Sequence, residues 1–133
     1  MRLNLDKLYG KVRARAPLRL GLAGGGTDVS PYSDEFGGYV LNATIDKYAY
    51  ATLSHSDNGV EFIAADIEAR WHGAASPVID AGKKLELHAG VYNRIVRDFL
   101  EGQPIAVSLV THSEAPPGSG LGSSSTMVVA MVQ

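Results

Sequence analysis

The pattern of apolar and polar side chains predicts three strands. Residues 12–22 alternate apolar with mostly basic side chains, and this period of two is typical of a β-strand. Pro17 lies inside that run and has no backbone N–H, so we expect an edge position or a break there. Tyr39 to His55 is rich in Tyr, Val, Thr, Ile and Leu and predicts a second strand. Residues 105–111 alternate in the same way and predict a third.

A tight turn is predicted directly after the second strand. Asp57-Asn58-Gly59 indicates a β-hairpin, because Asn-Gly supplies the positive φ values that such turns need. Val60 to Ala64 would then be the returning strand of that hairpin. Residues 68–84 show no clean period, and we expect a loop there.

Helical periodicity appears in two places. Val91, Ile95 and Phe99 recur four residues apart and predict an amphipathic helix over Leu85 to Leu100. Ser123 to Gln133 also predicts a helix, but its apolar residues surround the whole surface, which is typical of a helix buried in a core. We therefore expect the chain to be the N-terminal part of a longer protein. A complete small α+β domain is the alternative.

A short helix is predicted between the first two strands. Gly24-Gly25-Gly26 would end the first strand, and Pro31 to Phe36 would form the helix. Asp28 or Ser30 is the expected N-cap. Gly37-Gly38 would close the turn that follows.

Composition excludes several classes of function. The chain has 133 residues, 45% hydrophobic and 20% charged, as expected of one globular domain. Twelve Lys and Arg against fourteen Asp and Glu leave a net charge of −2, which argues against a nucleic-acid partner held by bulk electrostatics. The absence of cysteine excludes disulfides and thiolate chemistry. No apolar run approaches the roughly 20 residues of a membrane span, so we expect a soluble cytoplasmic protein without a membrane partner.

The strongest chemical signal is the run of Pro, Gly and Ser at residues 116–125, which follows a strand and opens a helix. Its glycines let the backbone approach a ligand, and the helix N-terminus adds a partial positive charge. These features predict a phosphate-binding loop. The run is neither a Walker A loop, which needs a lysine, nor a dinucleotide fingerprint, nor a G-x-S-x-G elbow. A Ser/Gly linker with a helix cap is the alternative.

A second cluster lies at residues 16–28, where Arg19 and Asp28 flank the glycine turn. The Arg19 guanidinium suits a phosphate, because it offers a fork of donors. The Asp28 carboxylate suits sugar hydroxyls, since it accepts hydrogen bonds. The alternatives are a helix cap for Asp28 and a solvated strand residue for Arg19.

Together the two clusters resemble the GHMP kinases, the family of galactokinase, homoserine kinase, mevalonate kinase and phosphomevalonate kinase. The resemblance implies an α+β, two-layer N-terminal domain related to the second domain of ribosomal protein S5. It would cover residues 1–133, bind ATP and sugar, and stop before the C-terminal domain. The residues that match are Ala16, Pro17, Arg19, Leu22, Gly24, Thr27 and Asp28 in the first motif, and Pro116, Gly120, Leu121, Gly122, Ser123 and Ser124 in the second.

Within that family, residues 22–32 and 37–46 resemble the D-glycero-D-manno-heptose 7-phosphate kinases. Gly25-Gly26 stand where galactokinases have a Glu-His pair, which makes galactose a less suitable substrate. The resemblance implies transfer of phosphate from ATP to the anomeric oxygen of the heptose, for nucleotide-activated heptose and surface glycans. The alternatives are another sugar 1-kinase, such as a fucokinase-like enzyme, and a regulator that binds sugar and ATP without catalysis. RNA binding through the S5-like fold is disfavoured by the acidic balance.

Residue roles follow from the matched motif positions. The resemblance implies that Arg19 lies near the transferring phosphate and that Ser124 ligates Mg²⁺. It places the general base and the acidic Mg²⁺ ligand beyond residue 133, so no residue here is assigned as the base. The expected sugar-binding residues are Gly25, Gly26, Thr27 and Asp28. The expected ATP-binding residues are Pro117, Gly118, Ser119, Gly120, Leu121, Gly122, Ser123 and Ser124. His55, His72, His88 and His112 show no metal-ligand spacing, and we expect surface or packing roles for them.

Overall fold

A computed structural model describes residues 10–116 and 118–133. These residues form five strands and three helices, and a 3-10 turn, Lys83–Leu85, leads into the second helix. The strands are β1 (Val12–Ala23), β2 (Leu41–His55), β3 (Val60–Ala64), β4 (Ala69–Gly73) and β5 (Val107–Ser113). The helices are α1 (Tyr32–Phe36), α2 (Glu86–Phe99) and α3 (Ser123–Val132).

The five strands form one mixed sheet in the order β1-β2-β5-β3-β4. β5 is antiparallel to β2 and parallel to β3, and it lies between them. The hairpin predicted at Asp57-Asn58-Gly59 is therefore wrong, because β2 and β3 are not paired with each other. The chain does turn at these residues. Asn-Gly sets only the local reversal, whereas burial decides which strand is the neighbour. Val107 and Leu109 of β5 are almost fully buried, as a central strand requires.

β1 lies at one edge of the sheet, as Pro17 predicted. The strand is not broken at Pro17, although its pairing register with β2 shifts between Pro17 and Arg19. The opposite edge is β4, and the prediction of a loop over residues 68–84 is wrong for this segment. Ala69 is buried and Trp71 is half-buried, whereas Arg70 and His72 are exposed. The alternation is present but spans too few residues to stand out.

Two of the predicted helices form close to their expected bounds, as α2 and α3. The N-cap predicted for the short helix α1 is wrong. Pro31 occupies the cap position and makes no side-chain capping bond. The Ser30 hydroxyl instead donates to Asp34 Oδ2 at 2.5 Å, one turn along the helix.

The core lies between one face of the sheet and the layer formed by α2 and α3. Phe62 of β3 is fully buried at its centre. Its ring stacks on Trp71 at 5.5 Å and meets the edge of Tyr92 at 6.0 Å between ring centroids. Buried residues of all five strands, of one face of α2 and of α3 complete the core, which confirms the predicted two-layer α+β class. Its buried members include Ala16, Ala51, Val60, Phe62, Leu85, Ala89, Val96, Val107, Leu109 and Ala130.

α3 buries only one of its faces. Thr126, Met127 and Ala130 are buried, whereas Val129 is 56% exposed and Val132 is 61% exposed. Apolar residues therefore do lie on its outer side, as the pattern predicted. In the described ranges, no helix is long and apolar enough to cross a membrane.

Replacing Phe62 by alanine should lower the free energy of unfolding by about 3–5 kcal/mol, because it empties the centre of the core. Phe99→Ala is the matched control, since Phe99 is 65% exposed and leaves no buried cavity. Urea denaturation of both variants measures the difference. Equal losses in the two variants would contradict the position of the core.

Candidate functional site

The two clusters predicted from sequence meet where β1 passes the start of α3. The Arg19 backbone N–H donates to the Leu121 carbonyl at 3.2 Å. The Arg19 side chain also lies against Gly122: a Cβ on that glycine would stand 2.9 Å from Arg19 Nε and 3.3 Å from its Cγ. Gly122 therefore leaves the space through which the arginine side chain passes.

Three glycines of the predicted phosphate loop have a left-handed backbone. Gly118, Gly120 and Gly122 have φ values of +77°, +75° and +69°. Ser119 and Leu121 between them do not have positive φ, so the sign alternates along the loop. Such alternation is typical of anion-binding nests. The Ser119 N–H, however, donates to the Pro116 carbonyl at 3.2 Å and is already engaged. Pro117, which was assigned to this loop from sequence, lies outside the described residues.

The first turn of α3 presents free hydrogen-bond donors. Gly122 is its N-cap and provides no side-chain capping bond. Thr126 N–H donates to the Gly122 carbonyl at 3.0 Å, and the Ser125 hydroxyl donates to the same oxygen at 3.1 Å. The hydroxyls of Ser123 and Ser124 make no hydrogen bond to any other residue that the structure describes. Backbone and hydroxyl donors are thus available at this helix end.

The electrostatics at the start of α3 favour a bound anion. Arg19 brings a positive charge to the N-cap of α3, where the aligned peptide dipoles already create a positive potential. Within residues 10–116 and 118–133, no carboxylate forms an ion pair with Arg19. Two like potentials therefore face one another, and an anion between them relieves that repulsion. A phosphate group matches both the charge and the available donors.

The predicted sugar loop is closed by Thr27. Its hydroxyl lies 2.7 Å from the Gly24 carbonyl and 3.1 Å from the Tyr39 carbonyl, and it accepts a bond from Tyr39 N–H at 3.1 Å. Gly24 and Gly38 allow the close approach of these two segments. A Cβ on Gly24 would stand 1.9 Å from the Tyr39 oxygen, and one on Gly38 would stand 2.3 Å from the Thr27 oxygen.

The residues expected to bind sugar lie together in this loop but in different environments. Gly25, Gly26 and Asp28 are exposed, and a Cβ on either glycine would meet no atom within 4 Å. Thr27, in contrast, already uses its hydroxyl to hold the loop. Asp28 is thus free to accept hydrogen bonds from a ligand, whereas Thr27 orients the loop that carries it. The role of Gly24 and Gly38 was not predicted, because contacts between backbones leave no pattern in a sequence.

A second feature that the sequence did not predict is a pocket beside the phosphate loop. It lies between the β3–β4 turn, the first turn of α2 and the first turn of α3. His88 is buried there, and its Nε2 lies 2.8 Å from Thr111 Oγ1, which agrees with a packing role. Burial lowers the pKa of His88 below its usual value, because the charged imidazolium would lose its hydration. Ser123 and Ser124 line the same pocket.

The donor set for a metal ion is small. The described part of the chain holds no cluster of three or more His, Cys, Asp or Glu side chains that could bind a metal. Ser124 is exposed and its hydroxyl is not engaged by another described residue, so it can supply one oxygen ligand. Mg²⁺ is commonly held by few protein ligands together with water and substrate phosphates. The site therefore fits a magnesium ion that arrives with a nucleotide.

Comparisons with known proteins relate the chain to kinases. Residues 86–133, which include the phosphate loop and α3, match the family described as the GHMP kinases N-terminal domain. Over 123 residues the chain is 44% identical to D-glycero-alpha-D-manno-heptose 7-phosphate kinase of Campylobacter jejuni. That alignment covers 92% of this chain and 36% of the relative, so the chain spans about a third of the relative's length.

Solved structures show the same fold. A D-glycero-D-manno-heptose 1-phosphate kinase from Bacteroides thetaiotaomicron superposes with a TM-score of 0.82 at 48% identity, over 90% of this chain and 39% of that protein. A sugar kinase from Campylobacter jejuni superposes with a TM-score of 0.78 at 43% identity, over 93% of this chain and 38% of that protein. The predicted fold of the domain is confirmed.

Two adjacent glycines of the sugar loop should respond differently to alanine. Gly24→Ala should lower the melting temperature strongly, because its φ is +75° and its Cβ would overlap the Tyr39 carbonyl. Gly25→Ala is the control, since it lies in open space without a positive φ. Thermal unfolding followed by circular dichroism measures both. Equal melting temperatures would show that the two segments do not touch as described.

Proposed function

We propose that this chain, which carries a GHMP kinase N-terminal domain, is the ATP- and sugar-binding part of a sugar-phosphate kinase. In this proposal ATP is the phosphate donor, and the anomeric oxygen of D-glycero-D-manno-heptose 7-phosphate is the acceptor. Because ATP is an intracellular substrate, the reaction belongs in the cytoplasm. In this proposal no residue of the chain acts as the general base.

One observation carries the proposal: Arg19, the left-handed glycines and the free first turn of α3 converge on one point. An arginine on a protein surface, or a linker of Ser and Gly, is common in proteins of every class and would indicate little alone. Their convergence is different, because it places a cation against a helix N-terminus with no carboxylate of the described residues to neutralise it. A nucleotide triphosphate supplies the complementary negative charge and the acceptors for the free N–H groups.

The assigned residues suit phosphoryl transfer. In this reaction positioning and charge stabilisation account for most of the catalysis. The N–H groups of Gly118 to Ser123 would hold the ATP phosphates, apart from that of Ser119, which donates to the Pro116 carbonyl. The Arg19 guanidinium would stabilise charge on the transferring phosphoryl group. Ser124 would hold Mg²⁺, which neutralises phosphate charge when it is bound. Asp28 would orient the sugar through its hydroxyls.

The sugar is inferred from the relatives. Both named heptose kinases are at least 44% identical to this chain, and their names differ in the heptose phosphate that they specify. A coupled assay of ADP release by the full-length protein, with heptose 7-phosphate, heptose 1-phosphate, fucose and galactose as acceptors, tests the proposal. Turnover that depends on heptose 7-phosphate is the expected result. Preference for fucose would favour the fucokinase-like alternative, and binding without turnover would favour a regulator.

Removing the Ser124 hydroxyl should reduce kcat of the full-length protein by about 10²-fold or more, because a Mg²⁺ ligand is lost. Ser125→Ala is the neighbouring control, since that hydroxyl donates to the Gly122 carbonyl instead. Steady-state kinetics at saturating Mg²⁺ distinguishes the two variants. An unchanged kcat for Ser124→Ala would remove Ser124 from the metal site.

Asp28→Asn should raise the KM for the sugar far more than the KM for ATP. An amide replaces the carboxylate acceptor only in part, and hydrogen bonds to charged groups contribute about 1.5–3 kcal/mol. Asp34→Asn is a control on the nearby exposed helix α1. Loss of ATP affinity with an unaltered sugar KM would place Asp28 on the nucleotide side of the site.

A further inference from the structure

One face of the sheet is not covered by α2 or α3, because both helices pack on the side that holds the core. In β1, β2 and β5, the residues that alternate with core residues point to this open face. A row of cationic and aromatic side chains lies on it, and none of the members is buried. They are Arg13, Arg15, Tyr48, Tyr50 and His112.

Stacking on aromatic rings orders the two arginines of this row. The guanidinium carbon of Arg13 lies 4.5 Å from the ring centroid of Tyr50, on which His112 also stacks. The guanidinium carbon of Arg15 lies 4.6 Å from the ring centroid of Tyr48. Tyrosine and arginine are enriched in protein–protein interfaces, and arginines that are already ordered lose less side-chain entropy on binding. The row therefore has the composition of a protein interface.

The charges around Tyr48 make the open face complementary to itself. Arg15 lies on β1 and Glu114 directly follows β5, and these two strands flank β2, which carries Tyr48. The Arg15 guanidinium lies over the Tyr48 ring, and Glu114 Oε2 accepts the Tyr48 N–H at 2.7 Å. Within residues 10–116 and 118–133, neither Arg15 nor Glu114 forms an ion pair. A two-fold axis along β2, above the open face, would place each of these charges opposite the other one of a second copy.

We propose that this face binds a second copy of the chain, with the two sheets face to face and the two-fold axis along β2. Arg15 of each copy then pairs with Glu114 of the other, and the tyrosine rings lie at the centre. Stacked sheets lie about 10 Å apart, a gap that arginine and tyrosine side chains can fill. A nucleic acid fits this face less well, because its phosphates would meet the Glu114 carboxylate. The contact is three strands wide, which is typical of a small interface with a dissociation constant in the micromolar range.

Sedimentation velocity of the full-length protein over a range of concentrations tests this inference. The wild-type protein should show an equilibrium between monomer and dimer. Arg15→Glu and Glu114→Arg should each weaken self-association at least about tenfold, because each variant places two pairs of like charges in the interface. An equimolar mixture of the two variants should form dimers again, since every contact in the mixed pair joins opposite charges. This recovery would also show that both variants fold.

Arg97→Glu is the matched control, because it makes the same change of charge at an exposed position of α2, in the other layer. It should keep the wild-type equilibrium. A wild-type protein that stays monomeric at about 100 µM would refute the inference. A dimer that both interface variants leave intact would also refute it, by placing the contact on another surface. So would a mixture that stays monomeric although circular dichroism shows that both variants are folded.

Discussion

The contact between the Arg19 side chain and Gly122 is the constraint on which the candidate site depends. It joins an edge strand to the start of a helix that lies far along the chain. A side chain at position 122 would have to displace the arginine and also adopt a left-handed backbone. Gly122 therefore meets two requirements: it adopts the left-handed backbone of the phosphate loop, and it leaves space for the Arg19 side chain. The geometry of the phosphate loop thus depends on the cluster that contains Arg19.

The sheet order determines where the sugar loop lies. β5 pairs with β2 only from Ala49 to His55, so the first half of β2 extends beyond it and pairs with β1 alone. This two-stranded ribbon carries the loop with Asp28 away from the core. Leu22 and Leu41 at its end remain 60% and 61% exposed. The loop that carries Asp28 is therefore held by the hydrogen bonds of the Thr27 hydroxyl and by the close backbone contacts at Gly24 and Gly38, rather than by core packing.

Features that depend on local pattern were predictable, and features that depend on distant contacts were not. The four-residue period of α2 and the alternation in β1 and β5 gave correct elements, because each strand or helix has its own period. The two sequence motifs were sufficient to predict Arg19 and the glycine loop as phosphate-binding groups, but not the contact between them. The predicted pairing of β3 with β2 was wrong, since an Asn-Gly turn cannot show that β5 lies between these two strands. The buried contact between His88 and Thr111 carries no local signal, because it forms only when α2 packs against β5.

A crystal structure of the full-length protein with Mg²⁺ and a non-hydrolysable ATP analogue tests the central claim most directly. The account predicts that the phosphates lie at the first turn of α3, within hydrogen-bond distance of the loop N–H groups, with the Arg19 guanidinium directed toward them. A triphosphate bound elsewhere, or an Arg19 side chain turned away from Gly122 and from the phosphates, would contradict it.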